Sequence, residues 1–104
     1  MTRRHKYGAV KTVVDGITFP SKAEARRYGE LQMLGVRDLE LQPKFPVVIN
    51  GAKICTYIAD FAYLEINGDA VIEDVKGMKT PVYRLKKKLV EALYGITITE
   101  IGGK

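Results

Sequence analysis

The sequence has a single cysteine, Cys55, and no apolar run long enough to cross a bilayer. One cysteine excludes an internal disulfide framework and a zinc site built from several cysteines. A spanning helix needs about 18 consecutive apolar residues, so no membrane segment and no membrane partner are predicted. The basic N-terminus has no apolar stretch behind it, which argues against a signal peptide. We therefore expect a cytoplasmic protein.

Length and composition indicate one domain spanning residues 1–104, because 46% of the residues are hydrophobic and a second core would not fit. Lysine and arginine number 17 against 12 acidic residues, which gives a net charge of +5. A basic balance suits an anionic partner, most commonly nucleic acid. Charge alone does not decide this, since many small basic proteins bind no nucleic acid.

Turn and capping signals predict the order hairpin, helix, antiparallel meander, helix, strand. Asp15-Gly16 and Asn50-Gly51 between β-prone runs predict two hairpins. The capping box of residues 21–24 begins a helix that ends near Leu34, and Thr80-Pro81 begins a second one. A long strand is expected over residues 54–66. This order predicts an α+β fold, an α/β sandwich with helices against a small mixed sheet.

The second helix, from about Pro81 to Tyr94, has an aliphatic face and a basic side. Its aliphatic face consists of Val82, Leu85, Leu89 and Leu93.

Two aspartates interrupt the apolar faces of neighbouring predicted strands. Because side chains alternate along a strand, Asp60 shares a face with Ile58 and Ala62, and Asp74 shares one with Ile72. A buried carboxylate is costly unless it is paired, hydrogen-bonded or bound to a metal. These two acids are therefore the first candidates for a functional site.

The turn between these strands decides whether the acids meet. If residues 67–69 form a three-residue loop, Asp60 lies opposite Lys76. A two-residue loop would put Asp60 and Asp74 on opposite faces. We therefore expect a turn of three or five residues, with Asp60, Asp74 and Lys76 on one face beneath the helix that carries Glu24.

Such a set of side chains suits metal-assisted phosphate chemistry. Two aspartates make a hard oxygen site for Mg²⁺ or Mn²⁺, and Glu24 can add a third carboxylate from the inward stripe of its helix. Lys76 could orient the attacking water and stabilise charge on a phosphate. A bound ion polarises the phosphoryl oxygen and lowers the pKa of its water.

Each candidate also has a structural interpretation. Asp60 and Lys76 could form only a cross-strand ion pair, and Glu24 could only complete the capping box. Glu73 alternates out of the site, either as a second-choice ligand or as a partner for basic residues.

Asp60, followed fourteen positions later by Asp74-Val75-Lys76, resembles the signature of the PD-(D/E)XK nuclease superfamily. The predicted element order also resembles the restriction-endonuclease-like core of that superfamily. More narrowly, four blocks together resemble a small phage and prophage family of unknown function. The blocks are residues 19–28, 39–45, 57–61 and 73–77.

The resemblance implies metal-dependent cleavage of a DNA phosphodiester. Its metal ligands would be Glu24, Asp60 and Asp74, and its catalytic lysine would be Lys76. The proline that often precedes the first aspartate is Ala59 here.

Two further residues are candidates for lining the site. Gln42 falls inside a recurring block, and Lys86 lies on the helix after the lysine strand, where related enzymes often supply a polar or basic group. Lys86 could equally be one of three solvated lysines in a row.

Phosphate contacts are expected from basic side chains spread over the arm of residues 1–9 and both helices. The candidates are Arg3, Arg4, Lys6, Arg26, Arg27, Arg84, Lys86, Lys87 and Lys88. No module for base readout is visible, so we expect recognition of shape or junctions, or a partner protein that supplies specificity.

The sequence therefore favours a small Mg²⁺-dependent DNA endonuclease of phage type, acting in recombination, replication or packaging in the host cytoplasm. One site cuts one strand, so cutting a duplex or four-way junction would need a homodimer. The alternative is a DNA- or protein-binding module that keeps the fold without cleavage. A purely structural phage component would leave the acidic set unexplained.

Overall fold

The computed structural model describes residues 10–102, and in them two helices and eight strands form a mixed α+β structure, as predicted. The helices are α1 (Lys22–Leu34) and α2 (Pro81–Tyr94). The strands are β1 (Thr12–Val14), β2 (Ile17–Phe19), β3 (Arg37–Leu41), β4 (Lys44–Ile49), β5 (Ala52–Ile58), β6 (Phe61–Leu64), β7 (Ala70–Lys76) and β8 (Ile98–Gly102). No helix in this part of the chain is long and apolar enough to cross a membrane.

Local capping defines both helices at the predicted ends. The Ser21 hydroxyl accepts the Glu24 N–H at 3.1 Å, and the Thr80 hydroxyl accepts the Tyr83 N–H at 3.1 Å. Each helix ends at a glycine in the left-handed region, with Gly35 at φ 71°. Because these signals involve residues only a few positions apart, the sequence predicts them well.

The main sheet has the strand order β3-β6-β7-β8, in which β7 and β8 run parallel and the other pairs antiparallel. Strands β4 and β5 form a separate hairpin. The predicted long strand over residues 54–66 is wrong, because it breaks into β5 and β6 at Ala59 and Asp60. Gln42, with φ at 53°, makes the matching bend in the partner ribbon.

Five residues, 65–69, connect β6 to β7, so the expected odd turn length is confirmed. An Asx turn tightens it, in which the Asn67 side chain accepts the Asp69 N–H at 2.9 Å. Leu64 therefore pairs with Ala70. The three-residue loop, which would place Ile66 opposite Ala70, is wrong by two positions.

The sheet separates two apolar clusters. Helix α1 and the β1-β2 hairpin pack over one cluster, whose buried residues are Phe19, Ala25, Tyr28, Leu31, Phe61 and Tyr63. Helix α2 covers the other, whose buried residues are Val47, Tyr57, Ala59, Tyr83, Val90 and Ile98.

Strand β7 contributes side chains to both sides of the sheet. Val71 and Val75 pack toward α1, whereas Ile72 packs toward α2. By alternation Glu73 faces α1 and Asp74 faces α2. The expectation that Asp74 lies beneath α1 is wrong, because the alternation puts Glu73 there instead.

Of the four residues on the aliphatic face of α2, Leu89 packs against the core and the other three are exposed. Val82 is 63% exposed and Leu85 is 60% exposed, while Tyr83 and Val90 are buried. The helix packs through the adjacent stripe because Tyr83 fills the space against β5 and hydrogen-bonds to Glu100 on β8 at 2.8 Å.

Candidate functional site: an acidic pair beside a basic cleft

Asp60 lies at the bend between the main sheet and the β4-β5 hairpin, and hydrogen bonds hold it on three sides. Its N–H donates to the Glu73 carbonyl at 3.0 Å, and its carbonyl accepts the Gln42 N–H at 2.9 Å. Its carboxylate Oδ2 accepts the Val75 N–H at 2.6 Å. The left-handed backbone of Gln42 therefore serves the site through its amide rather than its side chain.

Asp74 is almost fully buried, with 1% of its surface exposed. Its Oδ2 accepts a hydrogen bond from the Tyr57 hydroxyl, and its Oδ1 lies 3.4 Å from the Lys76 ammonium. The Lys76 nitrogen also lies over the Tyr83 ring, 4.6 Å from its centroid. Lys76 thus pairs with Asp74, and the cross-strand pair with Asp60 is not formed.

The two aspartates disturb each other's ionisation. Burial and the nearby Glu24 carboxylate together raise the pKa of Asp60 to about 7. Burial also raises the pKa of Asp74 to about 6, where the Tyr57 hydrogen bond opposes the rise and the Asp60 charge adds to it. The site therefore concentrates negative charge that a proton or a cation would neutralise.

Glu24 connects α1 to this pair. Besides donating its N–H in the cap, it accepts a hydrogen bond from the Ser21 hydroxyl at 3.2 Å on Oε1. Capping and proximity to Asp60 therefore coexist. In residues 10–102, no group of three or more histidine, cysteine, aspartate or glutamate side chains is arranged to hold a metal ion. The three acids are neighbours but not a ready-made cage.

Glu73 belongs to a different network on the α1 side of the sheet. Arg27 donates to both of its carboxylate oxygens, at 2.9 and 2.6 Å, and the Tyr63 hydroxyl donates to one of them. Arg27 also contacts Glu30 at 2.9 Å. Of the two sequence alternatives for Glu73, the partner of a basic residue is the one observed. A phosphate contact by Arg27 would have to break this pair.

The remaining basic candidates for phosphate contact differ in position and in their observed ion pairs. Arg3, Arg4 and Lys6 lie outside the described residues. Lys87 lies 3.5 Å from Glu100 and 3.9 Å from Glu91. The side chains of Arg26 on α1 and of Arg84 and Lys88 on α2 lie on the surface.

Sequence reasoning missed the aromatic support of the site. Tyr57 is a core residue, and its hydroxyl also donates a hydrogen bond to Asp74. Tyr83 and Glu100 were not singled out. Glu100 pairs with Lys79 at 2.9 Å and accepts a hydrogen bond from Tyr83, and these contacts together lower the pKa of Glu100 to about 2. A tyrosine in the first turn of α2 was the available signal.

An open cleft of about 310 Å³ adjoins the acidic pair. It lies between the β5 strand and the first two turns of α2, and Lys76 connects it to Asp74. Its lining includes Thr56, Ile58, Lys76, Val82, Tyr83 and Lys86. The cleft thus joins two lysines and apolar side chains to a carboxylate centre.

Fold and site together define a small α+β domain with paired strand carboxylates and a lysine next to a basic cleft. The chain belongs to the family described as a protein of unknown function (DUF1064), whose sequence model matches residues 4–100. No curated protein and no solved structure matches it. The four sequence blocks predicted membership of a family of unknown function, and this prediction is confirmed.

Proposed function

We propose that the protein is a metal-dependent deoxyribonuclease of the PD-(D/E)XK type, which hydrolyses phosphodiester bonds in DNA. The observation that carries this proposal is the meeting of Asp60, Asp74 and Lys76 beside the basic cleft. Asp60 directly precedes β6, and the pairing of β6 with β7 brings it beside Asp74. A purely structural role does not require a buried aspartate beside a second, half-buried one.

The donor set fits Mg²⁺ or Mn²⁺, which prefer carboxylate oxygens. On each aspartate one oxygen is oriented by a protein donor, the Val75 N–H for Asp60 and the Tyr57 hydroxyl for Asp74. Such outer contacts fix the orientation of metal ligands. The raised pKa values of both acids indicate charge that a divalent cation would neutralise. Glu24 would serve as the third carboxylate.

Each protein group has a defined task in this reaction. When bound, the ion would polarise a phosphoryl oxygen and lower the pKa of a coordinated water. Lys76, positioned by Asp74 and Tyr83, carries an ammonium that can contact the phosphate and stabilise charge as it develops. Tyr57 keeps Asp74 oriented and, through its hydrogen bond, more acidic than burial alone would leave it.

The sheet order supports the relation to the nuclease superfamily, because an antiparallel meander continues through a helix into a parallel strand. Since residues 10–102 carry one such centre, cutting a duplex or a four-way junction would take a homodimer. A role in phage recombination, replication or DNA packaging, with a phage protein as partner, is part of the same proposal.

The test is incubation of the protein with branched, single-stranded and linear duplex DNA in Mg²⁺, Mn²⁺ or EDTA. Metal-dependent cleavage should disappear in Asp74→Asn and persist in Asp15→Asn, which makes the same charge change in an exposed turn. Binding without cleavage on every substrate and metal would refute the enzyme and favour the non-cleaving DNA-binding alternative.

A further inference from the structure

The cleft beside the acidic pair has the size of a site for one nucleotide. Strand β5 contributes Thr56 and Ile58, helix α2 contributes Val82 and Lys86, and Lys76 joins the cleft to the acidic pair. Ligand pockets begin at about 300 Å³, and the cleft has about 310 Å³. The cleft therefore lies at the lower end of the range for ligand sites, which suits a small unit such as a single nucleotide.

Lys86 gives the cleft a positive charge that no carboxylate neutralises. Lys79 and Lys87 both pair with Glu100, and Lys76 pairs with Asp74. Within residues 10–102 Lys86 forms no ion pair, although it is half-buried where it lines the cleft. A half-buried ammonium without a counter-ion favours binding of an anion such as a phosphate.

Two exposed apolar side chains line the same cleft from different elements. Ile58 on β5 is 49% exposed, and Val82 on α2 is 63% exposed. Apolar side chains do not contribute binding free energy through contact with a phosphate, but they do so when they cover the face of a base. In a duplex, stacking already covers both faces of each base, so only an unpaired base can use these walls.

We propose that the cleft binds one unpaired nucleotide of the DNA substrate, with its phosphate on Lys86 and its base against Ile58 and Val82. This inference rests on the proposed nuclease function and adds its substrate class. Single-stranded or branched DNA supplies an unpaired base without the cost of unstacking, whereas uninterrupted duplex must extrude one.

Binding can be measured apart from cleavage by fluorescence anisotropy in EDTA. The probe is a labelled oligo(dT) of about 12 nucleotides, within the usual range of single-strand sites, with a duplex of equal length as competitor. Lys86→Gln should weaken oligo(dT) binding roughly fivefold to tenfold and lower the salt slope by about one, because one phosphate contact is lost. Lys53→Gln, an exposed lysine on β5 outside the cleft, should change it less than about twofold.

The apolar walls have a matched pair of variants on one strand. Ile54 and Ile58 are both exposed on β5, but only Ile58 lines the cleft. Ile58→Gln should therefore weaken oligo(dT) binding about threefold or more, with Ile54→Gln unchanged. Neither substitution empties a core, so circular dichroism should report native folding for both.

The results separate the two proposals. Duplex that competes as well as oligo(dT), or equal losses for Lys86→Gln and Lys53→Gln, would overturn the nucleotide cleft even if the protein cleaves DNA. Cleavage that fails on every substrate would overturn the nuclease, while selective loss of single-strand binding in Lys86→Gln and Ile58→Gln would still support the cleft.

Discussion

The neighbouring carboxylates of Asp60, Asp74 and Glu24 lead to a testable prediction about the stability of the protein. Replacing Asp60 with asparagine removes one of the charges confined at the site, while a side-chain oxygen remains to accept the Val75 N–H, which Asp60 now holds at 2.6 Å. We therefore expect Asp60→Asn to be more stable than the wild type at pH 8. Replacing a hydrogen-bonded aspartate would ordinarily lower the stability of the folded protein instead.

The magnitude follows from the pKa of Asp60, which burial and Glu24 raise from 3.8 to about 7. Below about pH 4 the carboxyl is protonated in both the folded and the unfolded state. Between these values the folded protein holds a proton that the unfolded chain releases, so the free energy of unfolding falls as pH rises. Above the folded pKa the full cost is present, roughly 4 kcal/mol at about 1.36 kcal/mol per pKa unit.

Urea unfolding followed by circular dichroism between about pH 4 and pH 8.5 measures this effect directly. The wild type should lose stability across the window, and Asp60→Asn should lose much less. Even about 1 kcal/mol corresponds to about 4–8 °C in Tm for a domain of this size. Asp15→Asn serves as the control. If Asp60→Asn is less stable at pH 8, or keeps the same pH slope, the electrostatic reasoning is wrong.

Three further outcomes follow from the same contacts. Mg²⁺ should raise Tm more at pH 8 than at pH 5, because protons and metal compete for the same oxygens, and an equal shift at both pH values would contradict this. Arg27→Met should cost about 3–5 kcal/mol in urea unfolding, because it leaves Glu73 buried without its partner; Arg37→Met, on the exposed edge of β3, should cost little. In the wild type the Tyr57 hydrogen bond lowers the pKa of Asp74, so Tyr57→Phe should raise that pKa and shift the acidic limb of the cleavage pH profile to higher pH. An unchanged profile would show that this hydroxyl does not tune the site.

The parts of the fold that depend on neighbouring residues were predictable. Ser21, Thr80 and the terminal glycines define both helices through contacts over three or four positions. The odd length of the β6-β7 turn was predictable as well, because only an odd turn allows Asp60 and Asp74 to share a site.

The parts that depend on long-range packing were not predictable. The Asx turn at Asn67 shifts the register by two residues, which brings Asp60 beside Asp74 instead of Lys76. Periodicity also identifies an aliphatic face on α2. It does not predict the hydrogen bond from Tyr83 to Glu100, which orients the adjacent face of the helix toward the sheet. The aromatic hydroxyls that hold the acids are invisible until the strands are assembled.

The opposite orientation of Glu73 and Asp74 has a consequence for how the sequence can change. These consecutive acids stand on different sides of one strand, one locked to Arg27 and the other beside Lys76. Inserting or deleting a single residue within β7 ahead of them would exchange their places. The structural ion pair and the acidic centre would then be lost together. Single substitutions in β7 leave the orientation of the other side chains unchanged, but only insertions or deletions of two residues keep Glu73 and Asp74 on their present sides.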